Sequence, residues 1–470
     1  MKSITLSIDV EKIVLKRFSF CGKIVFEVTS LKKIIALILM TTSLFFLFSC
    51  KSEEKNIKYV FLFIGDGMGI EEVALSDMIG EGVVFDDFEN AGMLKTNNLS
   101  SEITDSASAA TAISSGKKTY SETVGLDKNG KEVTTLTDLF KEKGFKVGLV
   151  SSQAVNHATP AAFYAHNESR YNYYEIGKDF CVSDIDFFGG AGFLEENDLY
   201  KLAESYGYTV AHTEDEIRGE KCLYVSDKTA LDFEIDRVDE KSLSHYLDSA
   251  IKYLHSDNGF FIMCEGGRID SACHNNDAAS LVKEVFAFDE AVKRALEFYS
   301  EYPEETVIIV TADHETGGLS LGYTETKYEL YPEKLLNQTL SQTTFEKEYI
   351  ANYLEDNSPF EKVKEDIALL FGINDLTDYE SDKLLYAYER TKEGISSYTL
   401  KDWEAFSDRN PLAVTVTQIL SKRAGLDFAT YYHTATPVGL WAKGEGSEIF
   451  NGFYDNTEIF NKISEICHLY

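Results

Sequence analysis

Residues 57–65 read IKYVFLFIG, a nearly continuous apolar run that follows the polar segment KSEEKN. Such a run is typical of a strand buried on both faces of a parallel sheet. Three further runs have the same character: FKVGLVS (145–151), FFIMC (260–264) and TVIIVT (306–311). Helical periodicity lies between them, at residues 136–143, 242–255 and 278–299. This alternation predicts a doubly wound, mainly parallel α/β sheet flanked by helices, which binds ligands at the carboxyl ends of its strands.

The segment 324–428 differs from the sequence on either side of it. It is rich in charge, its periodicity is mostly helical, and it contains no strong strand pattern. We predict that it is a helical insertion or cap on one α/β domain formed by residues 57–323 and 429–470. The apolar run PVGLW at 437–441 indicates the return to that domain.

The N-terminal sequence predicts export. Lys32 and Lys33 precede an apolar run that ends in Ser49-Cys50. This arrangement is typical of a lipoprotein signal peptide, and the run is shorter than the roughly 20 residues that span a bilayer. We therefore predict a signal peptide at 31–49, a lipid on Cys50 that anchors the chain to a bacterial membrane (periplasmic or cell-surface), and a tether at 50–56. Residues 1–30 are an upstream extension that would be untranslated if the start lies near Leu31.

The chain of 470 residues has a formal net charge of −33. A strongly acidic surface repels nucleic acid, so we expect no nucleic-acid binding. An anionic substrate would need local positive charge, which bound metal ions would supply. Export permits disulfides, and Cys181 with Cys222 is one candidate pair, although the sequence does not determine the pairing.

Ionisable residues directly follow three of the predicted strands. Asp66 follows the first, Glu265 follows FFIMC, and Asp313 with His314 follows TVIIVTA. A single acid in such a position is usually a helix cap or a turn residue. Three clusters at one edge of one sheet predict a metal site instead.

Spacing supports the same interpretation. Asp270 and His274 are separated by four residues, which places both on one face of a helix as two ligands of one metal. Asp313 and His314 are adjacent and can share a metal only where the chain bends, as it does at the end of a strand. Imidazole with carboxylate suits Zn²⁺, whereas carboxylate with hydroxyl oxygens suits Mg²⁺.

The segment TDSASAATA at 104–112 begins with cap residues and continues with small helix formers. It predicts a helix with Ser106 in its first turn, where free N–H groups and the helix dipole favour an anion such as a phosphorylated serine. Taken alone, the segment is more often an ordinary cap on a buried helix. Further along, Thr159 offers a hydroxyl and Arg170 a planar fork that can hold phosphate by two hydrogen bonds.

These motifs follow one another in a definite order: Asp66-Gly-Met-Gly, Asp105-Ser106-Ala, His157-Ala-Thr159-Pro-Ala, Arg170, Glu265-Gly-Gly-Arg-Ile-Asp270, His274, Ala-Asp313-His314-Glu-Thr-Gly-Gly and His433-Thr. In that order they resemble the alkaline phosphatases, from about residue 59 to residue 443. The match of the whole set is far more specific than any one motif.

The resemblance implies a phosphoric monoester hydrolase with two Zn²⁺ and one Mg²⁺. Ser106 would be the nucleophile that forms a phosphoserine, and Arg170 the phosphate clamp. One zinc would be held by Asp270, His274 and His433, and the other by Asp66, Asp313 and His314. The magnesium would be held by Asp66, Glu265 and Thr159. His157 stands where some members carry Asp and is a further candidate ligand of the third metal. The resemblance also implies a homodimer and small phosphate monoesters as substrates.

Two alternatives remain open. A related metallohydrolase acting on phosphodiesters or sulfates would have similar metal sites, although Asp-Ser106-Ala followed by Arg170 favours monoesters. A catalytically silent surface module that binds metal or carbohydrate would be expected to lack a ligand or the nucleophile, and none is missing. Ser271 stands where some members of the family carry Lys, which implies weaker retention of phosphate.

Overall fold

The computed structural model describes residues 57–80 and 82–470, so the predicted signal peptide, Cys50 and the upstream extension lie outside the described residues. The strands, in chain order, are β1 (Tyr59–Gly65), β2 (Asn90–Lys95), β3 (Lys146–Ser151), β4 (Phe187–Gly190), β5 (Tyr208–Ala211), β6 (Lys221–Val225), β7 (Phe260–Glu265), β8 (Thr306–Ala312), β9 (Glu315–Thr316), β10 (Leu319–Ser320), β11 (Asp427–Phe428), β12 (His433–Thr434), β13 (Val438–Gly444) and β14 (Gly452–Asp455).

The α-helices are α1 (Ile70–Asp77), α2 (Ser106–Ser115), α3 (Leu136–Glu142), α4 (Ala158–Ala161), α5 (Tyr173–Val182), α6 (Leu199–Ser205), α7 (Leu243–Leu254), α8 (Arg268–His274), α9 (Ala278–Glu301), α10 (Gln342–Thr344), α11 (Ala351–Glu355), α12 (Phe360–Phe371), α13 (Asp378–Glu393), α14 (Leu400–Phe406), α15 (Pro411–Arg423) and α16 (Glu458–Ile466). A π-helical turn, Phe345–Ile350, joins α10 to α11. Short 3-10 turns lie at Val84–Asp87, Glu214–Glu216, Pro332–Asn337, Ile395–Ser397 and Ser447–Phe450.

A large sheet of ten strands has the order β14-β2-β13-β8-β1-β7-β3-β4-β6-β5. β13 runs antiparallel to both of its neighbours, β8 and β2, and the other pairings in this sheet are parallel. Every residue of β1 is buried, as expected for a central parallel strand. The predicted mainly parallel α/β fold is therefore confirmed. Two small sheets pair β10 with β11 and β12 with β9.

The segment 324–428 contains helices α10 to α15 and the short strand β11. Its buried apolar side chains, among them Phe345, Leu384 and Leu412, belong to the same continuous core as the sheet. The helical insertion therefore packs onto the α/β domain and shares its main hydrophobic core. A smaller apolar cluster contains Phe406, Val414 and Tyr431.

The cysteines in the described part of the chain are all unpaired: Cys181, Cys222, Cys264, Cys273 and Cys467. The candidate pair of Cys181 with Cys222 is therefore not formed. Cys181 Sγ instead donates a hydrogen bond of 3.4 Å to the backbone oxygen of Leu199. None of the helices in residues 57–80 and 82–470 has both the length and the apolar character needed to span a membrane.

Candidate active site

The register of the parallel strands brings the strand-end acids together. β1 ends level with Glu265 of β7 and Ala312 of β8, so Asp66, Glu265 and Asp313 emerge at the same edge of the sheet. All three side chains are fully buried. Both oxygens of Asp66, Oε1 of Glu265 and Oδ2 of Asp313 have no hydrogen-bond partner among the described residues. Buried carboxylate oxygens without partners are costly, and bound cations would satisfy them.

Three of the predicted zinc ligands meet next to this edge. Helix α8 presents Asp270 and His274 on one face, and His274 Nε2 lies 3.2 Å from Asp270 Oδ2. His433, the first residue of β12, places its Nε2 3.2 Å from His274 Nε2 and 3.7 Å from Asp270 Oδ1. His433 is 159 residues from His274 in the sequence, and the fold brings the two imidazoles together.

Backbone carbonyls determine how two of these imidazoles are protonated. His274 Nδ1 lies 2.5 Å from the backbone oxygen of Tyr431, and His433 Nδ1 lies 2.8 Å from that of Thr104. A carbonyl oxygen can only accept, so Nδ1 carries the proton in both rings. Nε2 of each ring therefore keeps its lone pair for a metal, and the carbonyl holds the ring in place.

His314 connects this group to a second one. Its Nε2 lies 3.3 Å from Asp313 Oδ2 and 3.5 Å from Asp66 Oδ1. The chain bends at the end of β8, as the sequence predicts, because the backbone N–H groups of His314 and Gly67 both donate to Asp313 Oδ1, at 2.9 and 3.1 Å. One ligand atom from each of Asp66, Asp313 and His314 lies within 4.8 Å of the others, and the same holds for Asp270, His314 and His433.

A third group combines Asp66 with His157 and Glu265, again with ligand atoms within 4.8 Å of one another. The Thr159 hydroxyl and His157 Nδ1 are buried and have no hydrogen-bond partner in the part of the chain that the structure describes. Oε2 of Glu265 accepts a hydrogen bond from Ser151. The donor atoms of this group are richer in oxygen than those around His314, which suits Mg²⁺.

Ser106 is the first residue of α2 and is only 2% exposed. Asp105 is the residue that caps the helix, because its side chain accepts a hydrogen bond of 3.1 Å from Ser108 N. Ser106 Oγ lies 3.3 Å from His314 Nε2. The serine is thus not used as a cap and faces the ligand groups from the N-terminus of a helix, where an anion is stabilised.

Arg170 lies at the same site. Its Nη2 lies 3.5 Å from His157 Nε2. Its backbone N–H donates to Glu122 O at 2.7 Å, and Glu122 N donates to Asp105 Oδ2 at 2.6 Å. These bonds tie the segment that carries Arg170 to the cap of the helix that carries Ser106.

Thr316 and Ser151 also belong to the site, although no role for their side chains is predicted from the sequence. Thr316 Oγ1 donates to Asp270 Oδ1 at 2.7 Å and lies 3.2 Å from His314 Nδ1, so it joins the first two groups. Ser151, at the end of β3, holds Glu265. The only signal in the sequence is their position: Ser151 ends a predicted strand and Thr316 follows Asp313-His314 by two residues.

The electrostatics of the site without a cation are unfavourable for its acids. Burial, and then the nearby Asp313 and Asp270, raise the pKa of Asp66 well above its usual value. Burial raises the pKa of Asp313 to about 8 and that of Glu265 to about 7. Burial, and then His433, hold the pKa of His314 well below its usual value. Divalent cations would stabilise the ionised carboxylates and coordinate the neutral imidazoles.

Three adjoining groups of potential ligands, with a serine at a helix N-terminus and an arginine beside them, define a metal-dependent hydrolase of phosphate esters. The chain belongs to the alkaline phosphatase family, whose model matches residues 57–183 and 213–469. It is therefore a phosphatase that acts on phosphate monoesters and uses divalent metal ions.

Individual relatives agree with this assignment. Alkaline phosphatase 4 of Bacillus subtilis is 32% identical over 443 residues, which cover 88% of this chain and 90% of the relative. The repressible alkaline phosphatase of Saccharomyces cerevisiae is 28% identical over 480 residues, which cover 88% and 81%. The solved structure of a cold-active alkaline phosphatase from the psychrophile Shewanella sp. superimposes with a TM-score of 0.76 at 29% identity and covers 87% of this chain and 99% of that chain.

Proposed function

We propose that this chain hydrolyses phosphate monoesters through a phosphoserine on Ser106, at a site that holds two zinc ions and one magnesium ion. The observation that carries the proposal is the position of Ser106 Oγ, 3.3 Å from His314 Nε2 at the N-terminus of α2. An oxygen nucleophile in that position lies beside the ligand groups and at the end of a helix that favours a phosphoryl group.

Each residue of the site has its own role in the hydrolysis of the monoester. Ser106 Oγ attacks phosphorus, the bond from phosphorus to the leaving alcohol breaks, and a phosphoserine forms. When bound, the metal ions lower the pKa of the attacking hydroxyl and stabilise the entering and leaving oxygens. The Arg170 guanidinium and the N–H groups in the first turn of α2 hold the equatorial oxygens, where charge spreads in the transition state. Attack by water on phosphorus then regenerates Ser106 and releases inorganic phosphate.

The ligand assignment departs from the three groups at one point: His274, whose Nε2 lies 3.2 Å from both Asp270 Oδ2 and His433 Nε2, takes the place of His314 beside Asp270 and His433. Asp270, His274 and His433 would hold one zinc, and Asp66, Asp313 and His314 the other. Asp66, Glu265 and Thr159, with His157 beside them, would hold the magnesium. The two imidazoles beside Asp270 favour zinc, and the carboxylates of Asp66 and Glu265 with the unpartnered Thr159 hydroxyl favour magnesium. A histidine-to-glutamate variant of the alkaline phosphatase from the Antarctic bacterium TAB5, which superimposes with a TM-score of 0.65 at 28% identity, has Mg bound in its M3 site.

Rates on p-nitrophenyl phosphate, a p-nitrophenyl phosphodiester and p-nitrophenyl sulfate test the reaction class. We expect the monoester to be the preferred substrate by several orders of magnitude. Ser106→Ala should abolish turnover of the monoester and leave the zinc content of the protein near normal. A preference for the diester or the sulfate would favour the related metallohydrolase, and zinc binding with no activity in the unchanged protein would favour the silent surface module.

We also propose that the chain is exported and held at a bacterial membrane by a lipid on Cys50. The support is the sequence pattern of a basic start, an apolar run and Ser49-Cys50. Cells expressing the chain with labelled palmitate should yield a labelled protein, and Cys50→Ser should remove the label. A homodimer rests on the family resemblance, and sedimentation equilibrium of the protein without its signal peptide measures it.

A further inference from the structure

The helical insertion 324–428 is hydrogen-bonded to the turn that follows His274. The Asp277 side chain accepts from Gln338 Nε2 and from Gln342 N, each at 2.8 Å. Gln342 Nε2 donates to the backbone oxygen of Asn275 at 3.0 Å. Helix α8, which carries Asp270 and His274, ends in this turn, so the insertion restrains the C-terminal end of that helix.

Tyr431 connects the insertion to the same imidazole from another direction. Its ring packs with Phe406 of the insertion in the small apolar cluster. Its hydroxyl donates to Ala405 O at 2.7 Å and accepts from Gln418 Nε2 at 2.9 Å. Its backbone oxygen accepts from His274 Nδ1. The insertion thus holds both the ring and the hydroxyl of the residue whose carbonyl fixes His274.

We propose that the helical insertion is a positioning element of the metal centre, which fixes the ring orientation and tautomer of His274 through Tyr431 and the turn at residues 275–277. This inference rests on the proposed role of His274 as a zinc ligand. The imidazole is already oriented with Nε2 toward Asp270 and His433, so binding of the metal costs little rotational freedom. Partners that orient a metal-bound histidine typically contribute about 10–100-fold in metal affinity.

The test is the zinc affinity of Tyr431→Phe, measured on the zinc- and magnesium-loaded full chain by titration with a chelator and metal analysis of the protein. The variant keeps the aromatic ring and loses both hydroxyl hydrogen bonds to the insertion. We expect one zinc equivalent to dissociate at a free chelator concentration roughly tenfold lower than in the unchanged protein. With saturating zinc, kcat should return to near the value of the unchanged protein, because the substitution removes neither a proposed metal ligand nor a proposed phosphate-binding group.

Tyr388→Phe is the matched control. Tyr388 lies in α13 of the same insertion, is 1% exposed, and donates to Ser358 O at 2.7 Å. It should lower the melting temperature by about as much as Tyr431→Phe and leave zinc affinity unchanged. Gln418→Leu, which removes one of the two hydrogen bonds, should weaken zinc binding less than Tyr431→Phe, and the double variant should bind no more weakly than Tyr431→Phe alone.

Unchanged zinc affinity in Tyr431→Phe, or an equal shift in Tyr388→Phe, would overturn the positioning role. If Tyr431→Phe does not fold, the Gln418→Leu titration decides in its place. A protein that retains no zinc without any substitution would contradict the proposed function itself, which separates the two failures.

Discussion

Asp66 belongs to two of the three ligand groups, as His314 does. It is fully buried, and neither of its oxygens has a hydrogen-bond partner in the described part of the chain. By itself, an acid after a strand is best interpreted as a cap, yet α1 is preceded by Gly69 and has no side-chain cap. At the scale of single residues, this unsatisfied burial is the strongest sign that the site is built for cations.

His157 is the nitrogen donor of the proposed magnesium site. Its imidazole is neutral, since burial and then Arg170 lower its pKa to about 3. His157→Asp would replace a neutral nitrogen donor with a carboxylate oxygen, so we expect Mg²⁺ affinity to rise by about tenfold or more. Magnesium titration of the zinc-loaded protein, followed by metal analysis, measures the change. Equal Mg²⁺ affinity in the two proteins would show that His157 does not belong to the third metal site.

Ser271 offers a second test at this scale. Its hydroxyl accepts a hydrogen bond of 3.3 Å from Gln153 Nε2, and it follows Asp270, a proposed zinc ligand, in the chain. Ser271→Lys would add a positive charge near the phosphate site, so we expect inorganic phosphate to inhibit several-fold more strongly. The inhibition constant for phosphate, measured with p-nitrophenyl phosphate, gives the result. An unchanged constant would contradict the idea that the absence of lysine weakens phosphate retention.

At the scale of elements, α2 and its cap carry Ser106, the proposed nucleophile. Asp105→Ala removes the acceptor of both Ser108 N and Glu122 N. We expect a loss of about 1 kcal/mol in the free energy of unfolding, as for other N-cap replacements. We also expect kcat to fall at least tenfold, because the turn that carries Ser106 and the segment that carries Arg170 lose their common anchor. Denaturant unfolding and steady-state kinetics measure the two effects.

Asp105→Asn is the control for that change. The amide oxygen can still accept one hydrogen bond at the helix N-terminus, so most of the lost stability should return. A variant Asp105→Ala with normal kcat would show that the cap has no part in positioning Ser106.

The elements that the sequence predicts well are the buried ones. β1, β3, β7 and β8 are apolar on both faces, and their runs leave no other interpretation. The sequence does not predict β2, β4, β5 or β6. β2 is largely exposed, and β4 to β6 span only four or five residues each, although β4 and β6 are mostly buried. The antiparallel direction of β13 depends on the chain returning from the insertion, which local pattern cannot show.

The residues of the site also differ in whether the sequence alone locates them. Residues directly at strand ends, such as Asp66 and Asp313, could be located from the sequence because parallel strands end at one edge. His433 was identified through the family resemblance, since the fold alone brings it to α8. Thr316 and Ser151 were missed, because their role is to bind other side chains and short sequence motifs carry no sign of such contacts.

At the scale of the whole molecule, bound metal ions should raise the melting temperature of the protein. Without cations, Asp313 and Glu265 have folded pKa values of about 8 and about 7, above the usual values near 4 of an unfolded chain. An acid whose pKa is raised by folding contributes stability at low pH and loses it as pH rises toward the folded pKa. Because burial lowers their pKa values, His157 and His314 add stability as the pH rises to about 6.5, so the fall in the melting temperature of the metal-free protein is expected between about pH 7 and pH 8.

The metal-loaded protein should melt at a higher temperature throughout that range, since bound cations keep these carboxylates ionised in the folded state. Differential scanning calorimetry with and without chelator compares the two forms. A metal-free protein whose melting temperature rises from about pH 7 to pH 8, or one as stable as the loaded form, would contradict the raised pKa values of the buried acids.

Phosphorylation of Ser106 during turnover is the step on which the proposed mechanism depends, and it can be detected by trapping the phosphoserine. The metal-loaded protein is incubated with a phosphate monoester, quenched in acid and digested, and the peptide containing Ser106 is sequenced by tandem mass spectrometry. We expect one phosphoryl group on Ser106 of the unchanged protein, and neither phosphorylation nor turnover in Ser106→Ala. Turnover that persists in Ser106→Ala, or a phosphoryl group trapped on a different residue, would contradict it.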